Sequence, residues 1–188
     1  MMRRVGFYIT LTADGMYADE QGGLDAFEPA EAEHRFANDL VRDAGDVVMG
    51  RVMYDVMAYW DEVDVADPAT PAVEREFATF WRATPKHVAS RGRSSLRPNA
   101  SLIEDDVVEA VRVMRSGDGP PIMLGAGAEL FATLSQASLI DDYRFLIAPI
   151  ALGRGKAMFG ALEAPLRLRH IGTRTFDSGS VLLDYVPA

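Results

Sequence analysis

The sequence contains no cysteine among its 188 residues. This absence excludes disulfides, thiolate-bound zinc, cysteine-ligated iron–sulfur clusters and a cysteine nucleophile. It also lacks an apolar run whose length approaches the roughly 20 residues that are needed to cross a bilayer. Residues 1–4 lead into a strand-like segment rather than the apolar core of a signal peptide, so we expect a cytoplasmic protein.

Positive charge is also scarce, because 19 lysines and arginines face 28 acidic residues and give a formal net charge of -9. Such a surface repels nucleic-acid phosphates and anionic lipids, so we predict neither nucleic acid nor membrane as a partner. An anionic ligand would need a local basic pocket. The 48% hydrophobic and 25% charged content is typical of globular proteins, and the length predicts one domain over residues 1–188.

Strand-like and helix-like segments alternate along the chain. The hydrophobic patterns predict strands at 5–11, 46–50, 86–90, 101–104, 120–125 and 143–147, helices at 31–45, 51–59, 74–81, 105–115 and 129–138, and a closing pair of strands at 166–175 and 180–186. This order predicts an α/β fold with a mixed, mostly parallel sheet, helices on both faces and a C-terminal antiparallel hairpin.

The distribution of charge along the chain reverses locally. No carboxylate lies between Glu76 and Glu104, and the rest of the chain therefore carries -14 (-9 minus +5). Ser90 and Arg91 directly follow a predicted strand, so they could offer a hydroxyl, an amide and a guanidinium to one phosphate. A solvated basic loop is the alternative. The five cations of this interval are Arg82, Lys86, Arg91, Arg93 and Arg97.

Glycines follow two other predicted strands. Gly125 and Gly127 stand between a strand and a helix, where glycine lets a pyrophosphate approach the backbone near the helix amino terminus. The Rossmann pattern fails because Leu130 replaces its third glycine, and a tight structural turn is the alternative. Gly50 and Arg51 end another strand. Three such ends favour a ligand cleft, because open α/β sheets bind ligands outside the carboxyl ends of their strands.

Two further candidates follow from residue type. Asp14 follows the first strand and could anchor a substrate or relay a proton, although ordinary turn chemistry is the explanation that the residues alone favour. His34, His87 and His170 have no metal-ligand spacing, so we expect no metal site and assign these histidines surface or structural roles.

Taken in order over residues 3–186, these segments resemble the dihydrofolate reductase-like family that includes the C-terminal reductase domain of bifunctional riboflavin-biosynthesis deaminase/reductases. The most specific part is residues 139–142 with 148–155 and Phe159. Two positions depart from the family pattern, since Thr12–Ala13 replaces Ser–Leu before the first turn and Met53 replaces a threonine. The other matching motifs are residues 4–15, 48–54, 85–91 and 123–130.

The resemblance implies a three-layer dihydrofolate reductase-like fold, NADPH as cofactor, hydride transfer and a homodimer. The family's reference substrate is 5-amino-6-(5-phosphoribosylamino)uracil; a pterin reductase or a non-catalytic nucleotide-binding sensor are the alternatives. For such a reaction we expect Asp14 to act as substrate anchor or proton relay, with ordered water as the alternative donor, and Thr10, Asp14, Tyr54 and Trp60 to contact the substrate. The resemblance assigns cofactor contacts to Ile9, Thr10, Gly50, Arg51, Val52, Met53, Ser90, Arg91, Gly125, Ala126, Gly127, Ala128, Glu129 and Leu130.

Overall fold

A computed structural model describes residues 2–92, 95–104 and 106–188 of the chain. Two residues named above, Arg93 of the basic interval and Asp105 at the start of a predicted helix, lie outside the described residues. Within the described part, no helix is long and apolar enough to cross a membrane, and no group of histidine or carboxylate side chains could hold a metal ion.

Strands and helices alternate much as the sequence predicts. The strands are β1 (Val5–Thr12), β2 (Met16–Ala18), β3 (Asp46–Gly50), β4 (Lys86–Ala89), β5 (Ala100–Ile103), β6 (Ile122–Gly125), β7 (Asp142–Ala148), β8 (Lys156–Ala157), β9 (Leu168–Thr175) and β10 (Val181–Pro187). The helices are α1 (Glu31–Asp43), α2 (Arg51–Met57), α3 (Ala72–Ala83), α4 (Val107–Ser116) and α5 (Ala128–Gln136), and 3-10 turns span Asp25–Phe27 and Ala58–Asp61.

The main sheet has the strand order β5-β4-β3-β6-β1-β7-β10-β9. Its first six strands in this order run parallel, whereas β10 is antiparallel to both β7 and β9. The predicted mixed, mostly parallel sheet with a C-terminal hairpin is thus confirmed. Because β1, β3, β4 and β6 are parallel, their carboxyl ends meet at one edge of the sheet.

Side chains that alternate along β1 explain the three layers. Phe7 is fully buried and contacts Phe131 of α5, with ring centroids 4.7 Å apart. Tyr8 points to the opposite face and packs edge-on against Phe36 of α1, at 5.6 Å. Each large apolar side chain that folding buries contributes about 1.5–3 kcal/mol, so helices must cover both faces of this sheet.

A second, two-stranded sheet escapes sequence analysis. β2 and β8 pair in antiparallel fashion beside the carboxyl end of β1, and each has too few residues to show a periodic pattern. Close backbone contact makes glycine necessary here, because a Cβ at Gly155 would collide with the carbonyl oxygen of Ala18. The connection before β8 also contains Gly153, whose φ of 72° lies in the left-handed region that favours glycine.

The Lys86 side chain lies inside the protein rather than in a basic loop. It is only 1% exposed, its Nζ donates a hydrogen bond to the Trp81 carbonyl, and Nζ lies 4.4 Å from the centroid of the Trp81 ring. Burial lowers its pKa from 10.5 to about 8, against a smaller opposite effect of Asp61. The charged form is therefore less stable in the folded protein than in water.

We expect Lys86→Met to raise the free energy of unfolding at pH 7, by about 1–3 kcal/mol, because it removes a buried charge but keeps the stem. Between pH 8 and 10.5, Lys86 binds more protons in the unfolded chain than in the folded protein. The Lys86 amine therefore makes the free energy of unfolding of the wild type rise with pH across that window. Urea unfolding between pH 7 and 10.5 measures both effects. Lys156→Met, which changes the chain's other lysine, is the control; an unchanged pH slope in Lys86→Met would contradict the assignment.

Candidate functional site

A cleft of about 820 Å³ opens at the carboxyl edge of the parallel strands. The ends of β3 and β4 form one wall, the start of α5 another, and β2 and β8 a third. Most of the predicted cofactor residues come together here. Those that line the cleft are Gly50, Arg51, Val52, Met53, Ser90, Arg91, Gly127, Ala128, Glu129 and Leu130.

Arg51 brings a buried, unpaired donor to this cleft. Its Nε and Nη2 contact the Asp55 carboxylate at 2.9 and 2.8 Å, and its guanidinium lies 5.7 Å from the Tyr54 ring centroid. Its Nη1 is buried and has no hydrogen-bond partner in the described structure. Such a donor costs about 1–3 kcal/mol when left unsatisfied, so this nitrogen fits an anionic ligand that enters the cleft.

The start of α5 forms a cradle beside Arg51. Gly127 is the N-cap residue, and no side chain caps this helix. A Cβ at Gly127 would lie 3.4 Å from the Tyr17 hydroxyl oxygen, so glycine leaves the space between the turn and the Tyr17 ring open. A helix start with its first amides directed at a cleft favours negative charge. The turn therefore fits a pyrophosphate.

The basic interval contributes less to the cleft than the sequence suggests. Arg82 donates to the carbonyls of Asp61 and Val63, and Arg97 pairs with Glu62 at 2.6 Å. With Lys86 buried as well, these three cations serve structural contacts. The interpretation of the whole interval as a phosphate pocket is wrong for these three, because backbone carbonyls and the Glu62 carboxylate bind their side chains and none of them lines the cleft.

Ser90 and Arg91 do reach the cleft. The Ser90 hydroxyl donates to the Gly92 carbonyl at 3.1 Å and accepts from the Gly92 amide at 3.3 Å, which fixes the turn after β4. The Arg91 side chain is 98% exposed, and its Nη2 lies 3.8 Å from Oε2 of Glu129. A guanidinium this exposed is available to a ligand.

Three predicted cofactor residues lie beneath the cleft instead of lining it. Ile9 is 7% exposed and Ala126 is fully buried, and both belong to the core between the sheet and α5. Gly125 packs on methionines, since a Cβ there would lie 3.5 Å from Cε of Met49. They support the cleft floor, and their side chains offer no ligand contact.

Tyr54 and Trp60 do not form the predicted substrate wall. Tyr54 is 3% exposed, and its hydroxyl accepts a hydrogen bond from the Arg97 amide at 2.8 Å. Trp60 packs against Phe77 with centroids 4.5 Å apart and edge-on against His34 at 5.4 Å. Neither lines the cleft described above. Both belong to the apolar cluster that contains Phe77 and Trp81 of α3, and this packing accounts for their positions.

Asp14 holds a loop in place. Its Oδ1 accepts from the Thr12 hydroxyl at 2.5 Å and the Leu152 amide at 3.2 Å, and its Oδ2 accepts from the Gly153 amide at 2.6 Å. The hydrogen bond from Thr12, followed by those from the two amides, keeps the pKa of Asp14 below its usual value. The carboxylate thus ties the end of β1 to the loop after β7. Its role in proton relay stays a prediction.

A second cleft, of about 460 Å³, contains Thr10 and a carboxylate that sequence analysis missed. Glu33 lines this cleft and is 3% exposed; its Oε2 accepts from the Ala30 amide at 2.6 Å and its Oε1 from the Ser178 hydroxyl. Burial acts to raise the pKa of Glu33, but hydrogen bonds from Ser178, Ser180 and Ala30 hold it below its usual value.

In the sequence, Glu33 is one of several acids in the first turn of a helix, and only its spacing from Ala30 hints at a capping contact. Tyr17 and Lys156 were also missed; both line the larger cleft from the small sheet. Their positions depend on the pairing of β2 with β8, which no local signal in the sequence indicates.

Comparison with known proteins places the chain in a family. It is 28% identical over 185 residues to the uncharacterized protein YyaP of Bacillus subtilis strain 168. The alignment covers 97% of this chain and 94% of that protein. A crystal structure of a putative riboflavin biosynthesis protein from Shewanella sp. PV-4 aligns with a TM-score of 0.75 and 20% identity, over 100% of this chain and 99% of the other.

A dihydrofolate reductase from Enterococcus faecalis, solved in complex with NADP(H) and RAB-propyl, aligns with a TM-score of 0.67 and 11% identity, over 100% of this chain and 99% of the other. These structural matches confirm the dihydrofolate reductase-like fold. The family model of the RibD C-terminal domain matches residues 3–182. Because this match covers nearly the whole sequence, the chain belongs to the RibD C-terminal domain family.

Proposed function

We propose that the protein is an NADPH-dependent reductase of a small heterocyclic or sugar-like substrate, of the type that acts in riboflavin biosynthesis. The observation that carries this proposal is the cleft at the carboxyl edge, which is lined both by Arg51, with its buried, unpaired Nη1, and by the uncapped start of α5. Membership of the RibD C-terminal domain family supports it.

The cleft residues suit the parts of NADPH. Ser90 and Arg91 would hold the 2′-phosphate, Arg51 the neighbouring ribose and phosphates, and the turn from Gly127 to Leu130 the pyrophosphate. The bound cofactor would supply a hydride. Hydride transfer needs no nucleophile, so the protein would contribute by holding donor and acceptor close together and excluding water.

The smaller cleft is our candidate for the substrate pocket. Thr10 lies near the carboxyl end of β1, and the segment between Gly22 and Ala30 borders both clefts. Donor and acceptor could therefore approach each other across the end of β1. The pKa values of Asp14 and Glu33 are both lowered, so both are ionised at neutral pH. We therefore favour ordered water as the immediate proton donor.

Arg51→Met tests the cofactor site. We expect it to raise the Kd for NADPH by about 10- to 100-fold, because the variant lacks the guanidinium that would bind the cofactor's phosphates. Isothermal titration with NADPH measures the change. Arg35→Met is the matched control, since Arg35 also pairs with a carboxylate four residues away on a helix but lines neither cleft. Equal affinity in all three proteins would contradict the proposal.

Asp14→Ala should lower turnover far more than NADPH affinity, because it frees the loop at Leu152 and Gly153 beside β1. It should also lower stability. Because the pKa of Asp14 is depressed on folding, its contribution is present above its ordinary pKa and is lost as pH falls. Turnover, NADPH titration and melting between pH 3 and 7 provide the readouts.

Asp14→Asn separates the two roles of this residue. The amide keeps an oxygen that can accept from the loop but cannot relay a proton. Partial recovery of turnover with an unchanged pH profile would indicate a positioning role. Turnover equal to wild type in Asp14→Ala would exclude both roles.

A substrate screen tests the reaction itself. We expect NADPH oxidation, measured as loss of nicotinamide absorbance, with at least one member of a panel of 5-amino-6-(5-phosphoribosylamino)uracil and oxidised or dihydro pterins. Oxidation with the pyrimidine would support the riboflavin-type activity, and oxidation with a pterin would favour a pterin reductase. Binding of NADPH without oxidation of any panel member would contradict the proposal and favour a nucleotide-binding sensor.

A further inference from the structure

We propose that Glu129 sets the cofactor preference of the larger cleft by weakening the binding of a dinucleotide that carries a 2′-phosphate. The inference rests on the proposed function and concerns the same site. Its central observation is that an acidic side chain stands beside Arg91, the residue expected to hold that phosphate.

The two side chains come from different walls of the cleft. Arg91 follows the end of β4, whereas Glu129 is the second residue of α5. Their charged groups approach to 3.8 Å between Nη2 and Oε2, and the side chains are 98% and 87% exposed. Both line the cleft. A ligand group that binds Arg91 must therefore lie close to the Glu129 carboxylate or displace it.

Glu129 is the acidic exception in a basic cleft. Among the described residues that line it, the cations are Arg51, Arg91 and Lys156, and Glu129 is the carboxylate. Its place in the first turn of α5 favours its negative charge, because the helix dipole is positive there. A bound pyrophosphate would lie at the same helix start. The negative charge of Glu129 would therefore offset part of the attraction between the helix dipole and the pyrophosphate.

The chemistry of the two nicotinamide dinucleotides makes the effect selective. A phosphate monoester carries nearly two negative charges at pH 7, so it is attracted by Arg91 and repelled by Glu129. A free ribose hydroxyl can instead donate a hydrogen bond to a carboxylate. Arg91 therefore favours NADPH while Glu129 favours NADH, and the preference of the cleft is the difference between these two effects.

Isothermal titration of the full chain with NADPH and with NADH tests this inference. We expect Glu129→Gln to lower the Kd for NADPH by about tenfold and to leave the Kd for NADH unchanged or up to about threefold higher. Glu163→Gln is the matched control. It makes the same chemical change and the same change in net charge on an exposed side chain that lines neither cleft.

A double-mutant cycle with Arg91→Ala identifies the route. If Glu129 acts by occupying Arg91, Glu129→Gln should have no effect on NADPH affinity in the Arg91→Ala background; if it repels the phosphate directly, the gain should persist. Either result supports the inference. An NADPH-to-NADH ratio in Glu129→Gln equal to that of Glu163→Gln would overturn it.

The failure of the inference is distinguishable from that of the proposed function. Wild-type protein that binds NADPH, with Glu129→Gln no different, overturns the role of Glu129 alone. If neither the wild-type protein nor Glu129→Gln binds NADPH or NADH, this result overturns the cofactor site itself and the inference that rests on it.

Discussion

Parallel hydrogen bonding between β4, β3, β6 and β1 is the constraint on which the cleft depends. Val48 of β3 stands level with His87 of β4 and with Leu124 of β6, and Leu124 stands level with Phe7 of β1. This register brings the ends of the four strands to one edge. A shift by one residue would turn the buried side chains of a strand to the wrong face, so the packing of the core also fixes the position of the cleft.

Lys86 and Arg51 show how a cation with a structural role differs from one proposed to bind a ligand. Lys86 is enclosed, but its ammonium donates to a carbonyl and lies over the Trp81 ring. Asp55 pairs with one side of the Arg51 guanidinium, and the remaining nitrogen, Nη1, is buried without a partner in a residue that lines the cleft. Unpaired buried donors are rare in folded proteins because they are costly. Trp81, Arg82 and Arg115 also have such a nitrogen, but of these four residues it is Arg51 that lines the larger cleft. This position is why we assign Arg51 to the proposed cofactor site.

The carboxylates around the two clefts mostly hold the backbone in place. Asp14 binds two loop amides after β7, and Glu33 binds the amide that precedes α1 and a serine of the last hairpin. These contacts fix the walls on either side of the β1 end. Glu129 differs because its side chain projects into the larger cleft and its only close charged neighbour among the described residues is Arg91.

The sequence by itself determined the layered fold and the strand-end segments 50–53, 90–91 and 127–130, because a buried strand, the turn that follows it and the next helix are contiguous in the chain. Their signals are local, and a parallel sheet collects such ends at one edge. The tertiary structure alone decided which side chains reach the cleft. In the sequence, Arg82, Lys86 and Arg97 belong to a basic interval that could bind a phosphate. In the structure, carbonyl groups and Glu62 bind their side chains instead.

Tyr54 and Trp60 likewise follow a strand end that does line the cleft, but packing between helices takes them away from it. Conversely, Tyr17, Glu33 and Lys156 reach the clefts through the small sheet and the last hairpin. Contacts between residues far apart in the chain are set by the packing of the whole core. A single sequence shows which segments form, but it does not show which long-range contact each polar side chain will make.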